Sequence, residues 1–219
     1  MNAPRPALSF KHVIWDLDGT LLDTYPATDG ALAAALAGLG HTVTPEALRP
    51  LTRVTLAHAV ATWAARAGLP EDRIYAAYGR EYAELERQFS PAMPGALEAM
   101  RSVWSRGGLN LLATHRDREG ALWRLEAAGL VDLIDDLRSV SDGYPRKPDP
   151  ALFVALLRAH DLNPAEVLAV GDRDLDIQAG RAAGCSTALL MTAGVPMQTG
   201  ADRVLETLAE LAGAPVCSE

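Results

Sequence analysis

Cysteine is scarce in this chain: Cys185 and Cys217 are the two present among 219 residues. That excludes a disulfide framework, and neither stands at metal-type spacing, so both read as inert thiols. Long apolar runs are missing as well. No stretch approaches the roughly 18 residues a membrane-spanning helix needs. The start, MNAPRPALSF, has neither an apolar h-region nor a small-residue cleavage pattern, so no signal peptide is expected. Positive charge is in deficit. The formal net charge is −8 and no Lys/Arg-rich run occurs, which argues against a nucleic acid polymer or an anionic membrane as partner. An anionic substrate would have to be drawn in by local cations against that field. GxSxG, HExxH and a P-loop ending in GK[ST] are absent. GLGHTV at Gly38 begins like a dinucleotide fingerprint, but it follows a helical stripe and lacks the third glycine. No internal repeat or low-complexity tract interrupts the chain. The expectation is a cytoplasmic protein with no obligate protein partner evident.

What is present has a rhythm. Nearly half of the residues are hydrophobic, enough for a real core. Short β-like runs recur: HVIW before Asp16, LNLLA before Thr114, LRSV before Ser141, VLAV before Gly171 and STALLM ending at Met191. Between them lie the helical patterns GALEAMRSVWSRG, DREGALWRLEAAGL, DPALFVALLRAH and DLDIQAGRAAG, with DRVLETLAEL after the last strand. Strand–helix alternation with runs this apolar predicts an α/β fold, a Rossmann-like parallel sheet covered on both faces. One interval breaks the alternation. From about Tyr25 to Pro91 only helical stripes occur: Leu32, Leu36 and Leu39; Leu56, Ala59, Val60, Trp63 and Ala67; and Tyr75, Tyr78, Tyr82, Leu85 and Phe89, the last read as a helix–helix seam. The prediction is a core of residues 1–23 and 93–219, with an all-helical insertion of residues 24–92 after the first strand.

The residues that carry chemistry cluster at strand ends. In HVIWDLDGTLLDT, Asp16 and Asp18 lie two apart, so both carboxylates face the same side while Leu17 turns inward. Gly19 then permits a sharp exit. Like charges this close disfavour each other's ionisation. The pair makes sense if one carboxylate stays ionised as nucleophile and cation ligand while the other acts as general acid, then base. A second acidic cluster follows VLAVG, where Asp172 and Asp176 offer hard oxygen ligands that suit Mg²⁺ rather than Zn²⁺. Asp174 is assigned instead as the N-cap of the helix that ends near Gly184. Lys147, in RKPDP, can reach both a nucleophilic carboxylate and a phosphate oxygen from a tight turn. Thr114 ends the second strand, where a hydroxyl and the following backbone N–H groups can hold phosphate oxygens.

In order and content these elements resemble the haloacid dehalogenase superfamily of phosphohydrolases, over nearly the whole chain. Within it, the phosphoglycolate phosphatase and β-phosphoglucomutase-like members with a helical cap are the nearest in pattern. The resemblance implies that Asp16 is the nucleophile, Asp18 the acid/base, Thr114 the hydroxyl residue of the second signature and Lys147 the lysine of the third. It implies Mg²⁺ as cofactor, held by Asp16, the backbone carbonyl of Asp18 and Asp172, with Asp176 close by. It also implies a cap that closes over a small phosphorylated metabolite. The activity to expect is phosphomonoester hydrolysis through an aspartyl-phosphate.

One position departs from the common pattern: many relatives carry asparagine after the second-signature hydroxyl residue, where this chain has His115, followed by Arg116 and Asp117. His115 is a candidate substrate contact. Arg53, Thr55 and His58, in LTRVTLAHAV, are candidate cap contacts, the other reading of that stretch being a solvated helix start. Three rival activities stand beside the phosphatase. A sugar-phosphate mutase would use the same aspartates, and a silent phosphometabolite sensor would use the same scaffold. A dehalogenase is disfavoured, because halide leaves without a proton and Asp18 would have no task.

Overall fold

The computed structural model describes residues 9–85, 90–192 and 200–213; Phe89 and Cys217 lie outside them. Eight α-helices occur among the described residues: α1 (Tyr25–Gly38), α2 (Pro45–Thr52), α3 (Leu56–Ala67), α4 (Glu71–Leu85), α5 (Ala96–Ser105), α6 (Arg118–Ala127), α7 (Ala151–Ala159) and α8 (Asp174–Ala182). Contacts divide the chain into two compact units, Met1–Leu22 with Ala92–Glu219, and Asp23–Pro91.

The first unit is built on a six-stranded sheet: β1 (His12–Trp15), β2 (Asn110–Ala113), β3 (Asp136–Arg138), β4 (Val167–Gly171), β5 (Ser186–Leu190) and β6 (Arg203–Leu205), in the order β3-β2-β1-β4-β5-β6. Every neighbouring pair is parallel. Alternation along each strand sends side chains to opposite faces. Val13, Trp15, Leu112 and Val170 pack with Met100, Val103 and Leu125 of α5 and α6 on one face. Ile14, Leu111 and Ala169 pack with Phe153, Leu156 and Ala179 of α7 and α8 on the other. Full burial of each large apolar side chain contributes about 1.5–3 kcal/mol, so the central strands are held from both sides. The strand order reverses at β1, and such a reversal opens a crevice at the carboxyl ends of the strands, where ligands bind in folds of this kind. The α/β class expected from the alternation is the one observed. No described helix is long and apolar enough to cross a membrane.

Two expected elements differ. LRSV is extended only as far as Arg138; Val140–Asp142 is a 3₁₀ turn, because the Asp142 carboxylate accepts the Ser139 N–H at 2.7 Å and bends the chain. DRVLETLAEL is not one helix. Arg203–Leu205 extends the sheet beside β5, where the Asp202 carboxylate accepts both the N–H and the hydroxyl of Thr187, each at 2.8 Å. Leu208–Leu211 then forms a 3₁₀ turn, with Glu210 accepting the Glu206 and Thr207 N–H groups at 2.7 and 3.2 Å. Such side-chain bonds to nearby backbone compete with helix.

The second unit is α1–α4 around Leu32, Leu36, Leu48, Val60 and Ile74. Its α2 has no counterpart among the sequence stripes; Thr44 caps it and Pro45 opens it. On α4 the buried residues are Ile74 and Ala77, while Tyr75 is 37% exposed. The seam is therefore displaced by one position from the tyrosine spacing, leaving Tyr78 half-buried against the core and stacked on Tyr82 at 5.1 Å.

Candidate active site

The carboxyl edge of β1 and β4 gathers charge. Asp16 is the first residue beyond β1, and its N–H donates to the Val170 carbonyl at 2.9 Å, which continues the ladder one step and fixes the side chain at the edge. Leu17 is fully buried in the core, as its alternation predicts. Gly19 (φ 81°) makes the exit turn, its N–H donating to the Leu22 carbonyl at 2.8 Å. Asp172 follows β4, and Thr20, completely buried, donates its hydroxyl to Asp172 Oδ1 at 3.3 Å. Gly171 has a steric reason: a Cβ there would stand 2.2 Å from the Asp176 Cβ, so only glycine lets that carboxylate fold back towards the strand end.

Lys147 joins the two edges. Its ammonium, buried with Asp16 and Asp176, lies 2.5 Å from Asp16 Oδ1 and 2.6 Å from Asp176 Oδ1, and donates to the Ala113 carbonyl at 3.0 Å. Carboxylate oxygens of Asp16, Asp172 and Asp176 all lie within 4.8 Å of one another. Three buried carboxylates against one buried ammonium and the Arg173 guanidinium, whose Nε is 4.0 Å from Asp172 Oδ1, leave local negative charge in excess. Burial, with Asp176 and Asp172 alongside, pushes the Asp16 carboxyl up to about 7 although Lys147 pulls it down. Burial alone would lower Lys147; Asp16 and Asp176 outweigh it and hold the ammonium above its ordinary value. Asp16 Oδ2 is buried with no hydrogen-bond partner among the described residues. An orphaned anionic oxygen within an all-carboxylate cluster fits a hard divalent cation such as Mg²⁺.

The loop after β2 supplies the opposite wall. Thr114 is fully buried, and its hydroxyl oxygen accepts the Arg116 N–H at 3.1 Å. His115 Nε2 accepts the Lys147 backbone N–H at 2.7 Å. Burial first, then Lys147, Arg146 and Arg173, push His115 down to about 3, so the ring is neutral and its proton sits on Nδ1. Asp18 is not part of the buried trio. Its carboxylate, 24% exposed, is gripped by Arg116, with Nε 2.8 Å from both oxygens and Nη2 2.7 Å from Oδ1.

The other residues named from the sequence have definite positions. Asp174 is not an N-cap: it is the first residue of α8, after Arg173, and accepts from Gln178. The Asp176 carboxylate accepts the Arg173 N–H at 3.2 Å and ties down that helix start. Arg53 is not a solvated helix start. It follows α2, is 6% exposed, pairs through both terminal nitrogens with Asp29 at 3.2 and 3.1 Å, and lies 3.4 Å over the Tyr25 ring. Thr55 is the N-cap of α3, accepting the His58 N–H at 2.9 Å, and His58 is exposed. Cys185 is buried and its thiol is pushed up to about 12 by that burial, in keeping with an inert role. Thr20 and Arg116 were not singled out in the sequence. The first could have been found from the hydroxyl after DLDG; the second had only its nearness to Thr114 as a signal.

The profile of haloacid dehalogenase-like hydrolases matches residues 10–184. Phosphoglycolate phosphatase of Rhodospirillum rubrum is 32% identical over 194 residues, which cover 80% of this chain and 76% of that protein. The phosphoglycolate phosphatase of Vibrio parahaemolyticus is 30% identical over 189 residues, 81% of this chain and 82% of that one. In fold, the chain is similar to the crystal structure of a haloacid dehalogenase family hydrolase from Deinococcus radiodurans with bound phosphate and sodium, at a TM-score of 0.79 and 24% identity, covering 93% of this chain and 94% of that one.

Proposed function

The chain belongs to the haloacid dehalogenase-like hydrolase family, and on that premise we propose a phosphatase that hydrolyses a small phosphomonoester in two steps. The observation that carries the reading is the buried trio Asp16, Asp172 and Asp176 around one ammonium, with an Asp16 oxygen left over. In the first step Asp16 attacks phosphorus in line, the bond to the ester oxygen breaks, and Asp18 delivers the proton that oxygen needs. In the second, water attacks the aspartyl-phosphate phosphorus while Asp18 takes its proton, and Asp16 and inorganic phosphate are released. The carboxylates play different parts because their surroundings differ: Asp16 is sealed in beside Lys147, and Asp18 stands half-open beside Arg116.

Lys147 and the Thr114 hydroxyl are the groups we assign to the charge that develops on the phosphoryl oxygens, where catalysis of this reaction concentrates. His115 holds the Lys147 backbone and, being neutral, presents an Nδ1–H donor rather than a second cation. Mg²⁺ held by Asp16, Asp172, the Asp18 carbonyl and Asp176 would supply further neutralisation of the phosphoryl dianion. Phosphoglycolate heads the candidate substrates, because the curated relatives above carry that name. The test is phosphate release from a panel of phosphomonoesters with Mg²⁺ and with chelator, beside Asp16→Asn. Release should require the metal and vanish in the variant. Chelator-insensitive turnover, or an Asp16→Asn protein as active as wild type, would overturn the mechanism.

A further inference from the structure

We infer that Arg116 is the positioning residue of Asp18, setting where the acid–base carboxylate stands relative to the ester oxygen; this rests on the two-step mechanism proposed above. Asp18 needs such a device. It lies on a turn and is partly open to solvent, and the next residue is a glycine with no side chain to brace it. An aspartate so placed would sample several rotamers. Arg116 removes that freedom by closing a chelate on both oxygens, with contacts of 2.7–2.8 Å. The chelate is anchored at its far end. The Arg116 N–H donates to Thr114 Oγ1 at 3.1 Å and its carbonyl accepts the Val140 N–H at 3.2 Å. The guanidinium is therefore referred to the edge of β2, the same edge whose Ala113 carbonyl holds Lys147.

The geometry leaves room for chemistry. A carboxylate accepts at about four lone-pair positions. A guanidinium fork engages those facing it, and in the proposed steps the ester oxygen and then water meet the carboxylate from another side. Lysine could not substitute, because a single ammonium is a point charge and fixes no plane. The rival role, direct contact of Arg116 with the transferred phosphoryl group, makes a different prediction.

The test compares kcat/KM, which reports steps up to departure of the leaving group, for two esters. Glycerol 2-phosphate releases an alkoxide that needs a proton; 4-nitrophenyl phosphate releases a phenolate that does not. Arg116→Ala should lower kcat/KM for the alkyl ester about 10- to 100-fold, with the loss for the aryl ester at least tenfold smaller. Arg116→Lys should recover little of it. In an Asp18→Asn background Arg116→Ala should add less than about twofold, since coupled residues are not additive. Equal losses on both esters would assign Arg116 to the phosphoryl group and overturn the inference. So would an undiminished loss in the Asp18→Asn background. If the alanine variant does not fold, Arg116→Gln carries the same comparison. Full activity of Asp16→Asn would instead sink the two-step mechanism itself, so the two failures are distinguishable.

Discussion

Asp29 in the helical unit and Asp16 in the sheet unit are buried almost equally, at 1% and 2% exposure, yet their surroundings differ in kind. Asp29 accepts from the Thr52 hydroxyl at 2.6 Å and from Arg53 on both oxygens, with Arg49 3.8 Å away. One carboxylate faces two guanidinium groups, and neither of its oxygens is left over. Asp16 shares a single ammonium with Asp176, has the Asp172 carboxylate nearby with Arg173 Nε 4.0 Å from it, and keeps one oxygen with no partner among the described residues. A saturated buried ion ties helices together; an unsaturated one stores negative potential for something the polypeptide does not itself contain. Burial alone would have ranked the two sites alike. The ratio of donors to acceptors separates them.

Four experiments sharpen or break that contrast, in falling order of effect. Asp16→Asn should reduce turnover about a thousandfold or more, as loss of a nucleophile does. Because it removes surplus buried charge, it should also raise the metal-free thermal midpoint; a lower midpoint would mean that Asp16 is as structural as Asp29. Asp29→Ala should do the reverse and cost about 3–5 kcal/mol in urea unfolding, the penalty for stranding one partner of a buried pair. Unchanged stability there would remove the distinction from the other side.

The third concerns protons and metal. Burial raises the Asp16 carboxyl from 3.8 in the unfolded chain to about 7 in the folded one. Between those values the folded protein holds more protons than the unfolded chain, so metal-free stability should fall as pH rises through that window and level off above it. Mg²⁺ competes with that proton. Its affinity, followed by thermal shift or calorimetry, should weaken about tenfold per pH unit below 7 and change little above. A pH-independent affinity would exclude Asp16 as a ligand. The smallest effect is expected at His115. His115→Ala leaves the Lys147 N–H without its acceptor and should cost about 1–2 kcal/mol, read as stability or as kcat. The shape of the pH–rate profile should not change, because a ring titrating near 3 is neutral throughout the working range.

How much of this was legible beforehand depended on the range of the interaction. Periodicity places β1, β2, β4 and β5 because each is buried along most of its length and carries a short apolar run. Asp16 and Asp172 are legible because each directly follows a strand, while Lys147 stands at a turn and Asp176 in the first turn of α8. Arg203–Leu205 reads as helix in the sequence and is a strand in the structure: three residues are too few for a period, and the bonds that hold them involve Asp202 and Thr187. Asp174 reads as the N-cap but stands one position past it: Arg173 is the cap residue, and the carboxylate that ties the helix start belongs to Asp176. Arg53 and Arg116 mark the limit of sequence reading. An arginine in a polar stretch gives no sign that a carboxylate 24 or 98 positions earlier is waiting for it.

The helical unit leaves and rejoins the sheet unit at neighbouring points. The Met93 N–H donates to the Leu21 carbonyl at 2.8 Å, Leu22 and Ala92 form a bridge, and the Asp23 N–H donates to the Pro91 carbonyl at 2.9 Å. The excursion is thus a detour with a common doorway, closed by backbone hydrogen bonds. All six strands come from residues outside it. The frame that carries Asp16 at the end of β1 and Asp172 after β4 is thus closed upon itself before the detour begins.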